Sequence, residues 1–401
     1  MTLTRNLQWT QNFLRPGLNP LRGAQFPAVL LLVFAGLGLL AANIPLHDPI
    51  SAFLNTHLAI PGTGIDLSIA HWVSDGLLAI FFFVVAMELL YELTRGELNS
   101  VRRALQPAIA AAGGVLVPIA IYLLVAGGET TAHGWPIPTA TDIAFALGVL
   151  AVFGRGLPSG VRAFLLALAI LDDIVGIIFI AVLFAHDTNW LLLGLGVVGV
   201  VVFGILSRML RGGARVPIGV LMVIVAAVTW GLVALSGVHA TIAGVLLGLA
   251  MAPRPAARVR HVLDPWVNGA ILPVFAFVAA FVVIPRLGLG ELSPAFWAIT
   301  LALPVGKIIG ISLFGWVSMR VGPRGAAPSL PFLDLLAAGA LGGIGFTVSL
   351  LLANLAFAAD AVIRDQAILG VLAGSLISLV VCAIFVSMRA AHYRARARVA
   401  R

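Results

Sequence analysis

The chain has a single cysteine, Cys382, and a single lysine, Lys307, in 401 residues, and only 10% of its residues are charged. One cysteine excludes an intramolecular disulfide and a cysteine-based metal site, which sets aside redox chemistry and structural zinc. The shortage of charge excludes an ordinary soluble domain, in which about 25% of residues are charged. Hydrophobic residues fill the gap at 61%, and mean hydropathy is +1.10. That composition belongs to an all-α polytopic membrane protein, because helices satisfy their own backbone in hydrocarbon. A net charge of +8 and a pI near 11.1 raise the question of a nucleic-acid partner, which the positions of the basic residues must decide.

Breaking the apolar runs at proline, glycine and charge clusters gives twelve candidate spans: 26–44, 68–90, 104–126, 139–153, 163–185, 190–207, 216–235, 238–252, 265–285, 296–319, 332–357 and 366–388. Residues 1–25 carry Arg5, Arg15 and Arg22 without an acid, as a signal peptide would. The run that follows is long for a signal core and reads as an uncleaved first span. With these spans, 21 of the 23 arginines fall on the side of the N-terminus, leaving only Arg286 and Arg364 opposite. A missed helix would scramble that alternation. The split places both termini in the cytoplasm and explains the basic pI through topology and anionic lipid, with no nucleic acid needed.

Against this background the few intramembrane charges stand out. Asp172 and Asp173 sit together in the middle of span five, where a carboxylate costs roughly 3 kcal/mol on insertion scales and normally faces a protein or water-filled interior. Lys307 lies inside span ten and needs a partner, for which these acids are the candidates. Spans four and eleven look broken. The first carries Thr139, Thr141 and Asp142, and the second carries Gly342, Gly343 and Gly345 at mid-span. Ile143-Ala-Phe145 can be laid over Ile344-Gly-Phe346, and spans 3–5 and 10–12 run antiparallel to each other. Interrupted helices at corresponding positions of inverted halves are expected to cross at a transport site. The domain reading is one transmembrane unit over 1–401. Its ion-transporting core is 104–185 with 296–388, and its interface part is 26–90 with 238–285.

Buried half-helix ends carry partial charge, positive at N-termini and negative at C-termini. Asp142 can offset the first kind and Lys307 the second. Neighbouring helical residues point about 100° apart, so Asp172 and Asp173 face different surroundings. Two close carboxylates resist simultaneous ionisation, while a hard cation such as Na⁺ prefers carboxylate and carbonyl oxygens. Its arrival would expel a proton, which is antiport by competition. Other ionisable residues near the membrane are Asp75, the i,i+4 pair Glu88 and Glu92, His239 and Asp334.

Thr141-Asp-Ile-Ala-Phe-Ala-Leu-Gly-Val-Leu150, Leu168-Ala-Ile-Leu-Asp-Asp-Ile174, Ser236-Gly-Val-His-Ala-Thr241, Gly306-Lys-Ile-Ile-Gly-Ile-Ser-Leu-Phe314 and Gly342-Gly-Ile-Gly-Phe-Thr347 resemble the NhaA sodium/proton antiporter family. The resemblance implies an electrogenic exchanger of the bacterial cytoplasmic membrane that moves Na⁺ or Li⁺ against protons, with no cofactor. By the resemblance, Asp173 would bind the cation with Asp172, which also pairs with Lys307. Thr141 and Asp142 would sit at the crossing, and Asp75, Glu88, Glu92 and His261 would serve a cytoplasmic funnel or the pH response. Spans one, two, eight and nine, with the 45–67 loop, would form a homodimer. The chain departs from the family pattern at Leu90, Tyr91, Arg260, Asp264 and Ala279, which puts the pH profile in doubt.

Two other classes remain open. An intramembrane aspartyl protease also uses two acids, but on separate helices facing one water. A sodium-coupled solute symporter would drive solute uptake without proton movement.

Overall fold

The computed structural model describes residues 25–96, 98–128, 130–185, 187–210, 215–285, 288–321 and 330–399. The apolar runs fold as helices. These are α1 (Gln25–Ala42), α2 (His47–Leu54), α3 (Ile69–Thr94), α4 (Val101–Ala126), α5 (Ile143–Phe153), α6 (Ser159–Leu183) and α7 (Trp190–Met209). Then follow α8 (Arg215–Leu235), α9 (Thr241–Ala250), α10 (Pro253–Ala279), α11 (Pro294–Arg320), α12 (Phe332–Gly342), α13 (Phe346–Ala356) and α14 (Ala361–Val399). One antiparallel hairpin, β1 (His57–Ile60) with β2 (Ile65–Ser68), occupies the segment expected to be a plain loop.

Among the described residues nine helices are long and apolar enough to cross a membrane, and two bent pairs raise the number to eleven. One pair is 132–139 with α5, bent by 41°, and the other is α12 with α13, bent by 49°. The expected eighth span is α9, ten residues or about 15 Å of rise, which is too short to qualify by length. Two other boundaries also move. The expected ninth span, α10, begins at Pro253, because its first turns are amphipathic, with Pro255 and Ala256 buried. The last runs to Val399, well past the expected end at 388, because Arg389 and Tyr393 on it bind the fully buried Asp334 of α12 at 2.7 and 2.5 Å.

Burial ranks the helices. The best apolar window of α11 is 61% buried and that of α8 only 22%, so α11 is central and α8 peripheral. α11 packs most closely on α4, where a Cβ on Gly113 or Gly310 would strike the backbone carbonyl of the other. Glycine is required there by the close approach, and Gly306 meets Pro118 one turn away. Around this pair pack α6, α12 and α14, while α1 lies against α5 and α10, and α9 against α3. α11 widens into a turn at Ala302–Gly306, immediately before Lys307.

Candidate functional site

The two bent segments meet at their breaks. Asp142 is extended, which ends the short turn Ile137–Thr139 and starts α5, and its backbone N–H donates to the Ile344 carbonyl at 2.6 Å. Its carboxylate then serves two helices at once. Oδ1 accepts from Phe145 N at 3.0 Å, capping α5, and Oδ2 accepts from Thr347 N at 3.2 Å and Thr347 Oγ1 at 2.8 Å at the start of α13. Both helix N-termini thus point at one buried acid, an arrangement that matches negative charge to the positive ends of two dipoles. The rings of Phe145 and Phe346 pack beside it, 5.4 Å apart.

Lys307 reaches the same crossing from α11. Its Nζ donates to Asp172 Oδ2 at 2.6 Å, to the Thr139 carbonyl at 2.5 Å and to Thr141 Oγ1 at 3.1 Å, with the whole side chain buried. Snorkelling to the surface is excluded by that burial. Thr141 Oγ1 lies 2.7 Å from Asp172 Oδ2 and 2.8 Å from the Gly342 carbonyl, tying α6 to the C-terminal end of α12. Gly342, Gly343 and Gly345 leave no room for a Cβ. At Gly342 one would come within 2.6 Å of Ile311, and at Gly343 within 2.8 Å of the Leu303 carbonyl. At Gly345 one would overlap Ser349 Oγ.

Asp172 and Asp173 are both buried, yet Oδ1 of each has no hydrogen-bond partner among the described residues. The charges pair off unevenly. Asp172 faces Lys307 and Asp142 faces two helix N-termini, while Asp173 has neither a cation nor a donor among the described residues. A buried carboxylate left in that position is costly as a bare charge. Among the described residues no group of three or more His, Cys, Asp or Glu side chains is placed to hold a metal ion.

The candidates for the funnel do not gather in one place. Glu88 lies 3.7 Å from Arg260, which is also 3.7 Å from Asp264; Glu92 is buried and His261 exposed. Asp75 belongs elsewhere. It sits in the widened first turns of α3, about 20 Å along the helix from Glu88 and at the opposite end. There its Oδ1 is 3.3 Å from His239 Nε2, and its carbonyl accepts from Trp230 Nε1 at 3.0 Å. Asp75 therefore lies apart from Glu88 and Glu92, at the other end of α3. Of the departing positions, Tyr91 is exposed, Leu90 half-buried and Ala279 buried in α10. His239 also bonds Thr241 Oγ1 at 2.9 Å, and burial lowers its pKa below the ordinary 6.5, partly opposed by Asp75.

Sequence reasoning missed several participants. The Thr139 carbonyl has no signature in a sequence. Thr347 stood in a quoted motif without a role, although a threonine just after a glycine-rich break is a ready partner for a facing acid. Ser349 and Ser375 complete the joint, the first donating to the Ile137 carbonyl at 2.7 Å and the second accepting from Phe346 N at 3.3 Å.

The family model described as Na⁺/H⁺ antiporter 1 matches residues 19–386. The chain is 51% identical over 381 residues to the Na(+)/H(+) antiporter NhaA 2 of Clavibacter michiganensis subsp. michiganensis, covering 93% of this chain and 92% of that one. It is 44% identical over 371 residues to the Na(+)/H(+) antiporter NhaA of Tropheryma whipplei, with 91% and 94% covered. To the Na(+)/H(+) antiporter NhaA of Streptomyces antibioticus it is 42% identical over 391 residues, with 93% and 79% covered.

Proposed function

The chain belongs to the Na⁺/H⁺ antiporter 1 family, and from that premise we propose that a proton and a sodium or lithium ion compete for the Asp172–Asp173 pair. It is a sodium/proton antiporter and not an enzyme, and its chemistry calls for no cofactor beyond the transported ions. The observation that carries the site assignment is the pair of buried, unpartnered oxygens, Asp172 Oδ1 and Asp173 Oδ1, next to a Lys307–Asp172 ion pair. Asp173 holds a proton or the cation. Asp172 moves between Lys307 and the cation, so a second proton can be exchanged at that ion pair. Two proton positions against one cation make the exchange electrogenic.

The same geometry supports alternating access. α5 and α13 are short, meet at their N-termini on Asp142 and are bent from their partners by 41° and 49°, so either can tilt without dismantling a full span. Residues 104–185 and 296–388 form the inverted-repeat core, each with one bent pair between longer helices. α9 supplies a twelfth, short crossing. Residues 26–90 and 238–285 form the homodimer part, supported by a hairpin whose first strand is wholly exposed. The arginine asymmetry supports the bacterial cytoplasmic membrane, both termini inside, and anionic lipid at that face. The Glu88–Arg260–Asp264 cluster supports a pH response of this chain's own.

The test is dissipation of ΔpH in inverted vesicles on addition of Na⁺ or Li⁺. Wild type is expected to dissipate it and Asp173→Asn not to. Ordinary exchange by Asp173→Asn would overturn the site assignment.

A further inference from the structure

Beside the crossing, between α1, α5, α13 and α14, lies a cleft of about 180 Å³ whose wall includes Leu32, Gly36, Phe145, Phe346 and Leu376. Its depth decides what can fill it. Leu32 and Gly36 fall in the middle third of α1, and Leu376 lies about 22 Å along α14, so the mouth opens within the hydrocarbon layer. Leu32 and Leu376 at that mouth are 39% and 57% exposed, whereas Phe145 and Phe346 at the floor are buried.

Water is a poor occupant. It needs two to four polar partners, and the lining offers one side-chain hydroxyl, on Ser375, which already accepts from Phe346 N. Apolar cavities of about 150 Å³ stay dry and take up benzene or xenon. At this depth the surrounding medium is acyl chain.

We propose that the cleft binds one acyl chain of a bilayer phospholipid, entering between Leu32 and Leu376 with its end against Phe145 and Phe346. Those two rings begin the helices that Asp142 caps. The chain therefore packs directly on the joint about which α5 and α13 would tilt, whichever ion is exchanged.

The probe is phosphatidylcholine with a diazirine near the acyl terminus, photolysed in proteoliposomes, with adducts mapped by mass spectrometry. We expect about fivefold or more adducts on the Phe346 and Leu376 peptides than at Val198 and Val223, exposed faces of α7 and α8. Gly36→Leu should remove that excess, since a Cβ at Gly36 meets no heavy atom within 4 Å and the added side chain can enter the cleft without a clash. Leu376→Trp should do the same from the other wall. Equal labelling at all four positions, or an excess that survives both variants, would overturn the proposal. So would disulfide cross-linking of two copies through Gly36→Cys in a Cys382→Ser background, which would assign the cleft to a second copy.

Discussion

Lys307 Nζ lies 2.6 Å from Asp172 Oδ2, and neither side chain has any exposed surface. Breaking such a pair from one side leaves a buried charge without compensation, at a cost of about 3–5 kcal/mol. Lys307→Ala is therefore expected to lower the unfolding free energy by about that amount. The double variant Lys307→Gln with Asp172→Asn, which keeps two neutral hydrogen-bonding groups, should recover most of it. Thermal or denaturant unfolding in detergent reads both. A double variant no better than the single would show that the loss comes from packing and not from charge.

Asp173 is the opposite case. It is buried beside a second carboxylate and has no donor or cation among the described residues, so its charge opposes folding. Asp173→Asn should leave the unfolding midpoint unchanged or raise it while abolishing cation-driven ΔpH dissipation. A variant that loses both stability and exchange would mean that Asp173 holds the fold together.

Asp142 joins the two bent segments through three accepted hydrogen bonds. An N-cap contributes about 1 kcal/mol, and each buried donor left unsatisfied costs about 1–3 kcal/mol. Asp142→Ala should thus lose about 3 kcal/mol or more. Asp142→Asn keeps one acceptor oxygen and can still cap one helix, so it should lose less than half as much. Equal losses in the two variants would exclude the double cap.

How much of this was legible follows from the cost of charge in hydrocarbon. Asp172, Asp173, Lys307 and Asp142 stood out because the residues around them are apolar, and the glycines at 342, 343 and 345 marked a break that no ordinary span would carry. The joint itself was not legible. It rests on the carbonyls of Thr139, Ile137, Gly342 and Ile344, which every residue possesses, and on Thr347 and Ser375, whose types are common in membrane helices. The first turns of α10 were read as a loop because arginines dominate them, although only one face of that helix meets water. The Asp75–His239 contact was not legible either, because the two residues lie far apart in sequence and no spacing rule pairs them.

That pair gives a pH-dependent prediction. Burial holds the His239 pKa below 6.5, so the folded chain binds fewer protons there than the unfolded chain does between the lowered value and 6.5. Stability therefore rises with pH across that window: the contribution is complete above 6.5 and is lost as pH falls toward the folded value. Asp75, 3.3 Å away, narrows the window by favouring the imidazolium, and His71 widens it by opposing a second positive charge. His239→Gln removes the titration but keeps a group able to bond Thr241. Its unfolding midpoint should fall less than that of wild type as pH drops below 6.5, and the two curves should run parallel at higher pH. Removing the partner instead, with Asp75→Asn, should steepen the acid-side loss, because the imidazolium would then form in a buried site with no carboxylate to meet it.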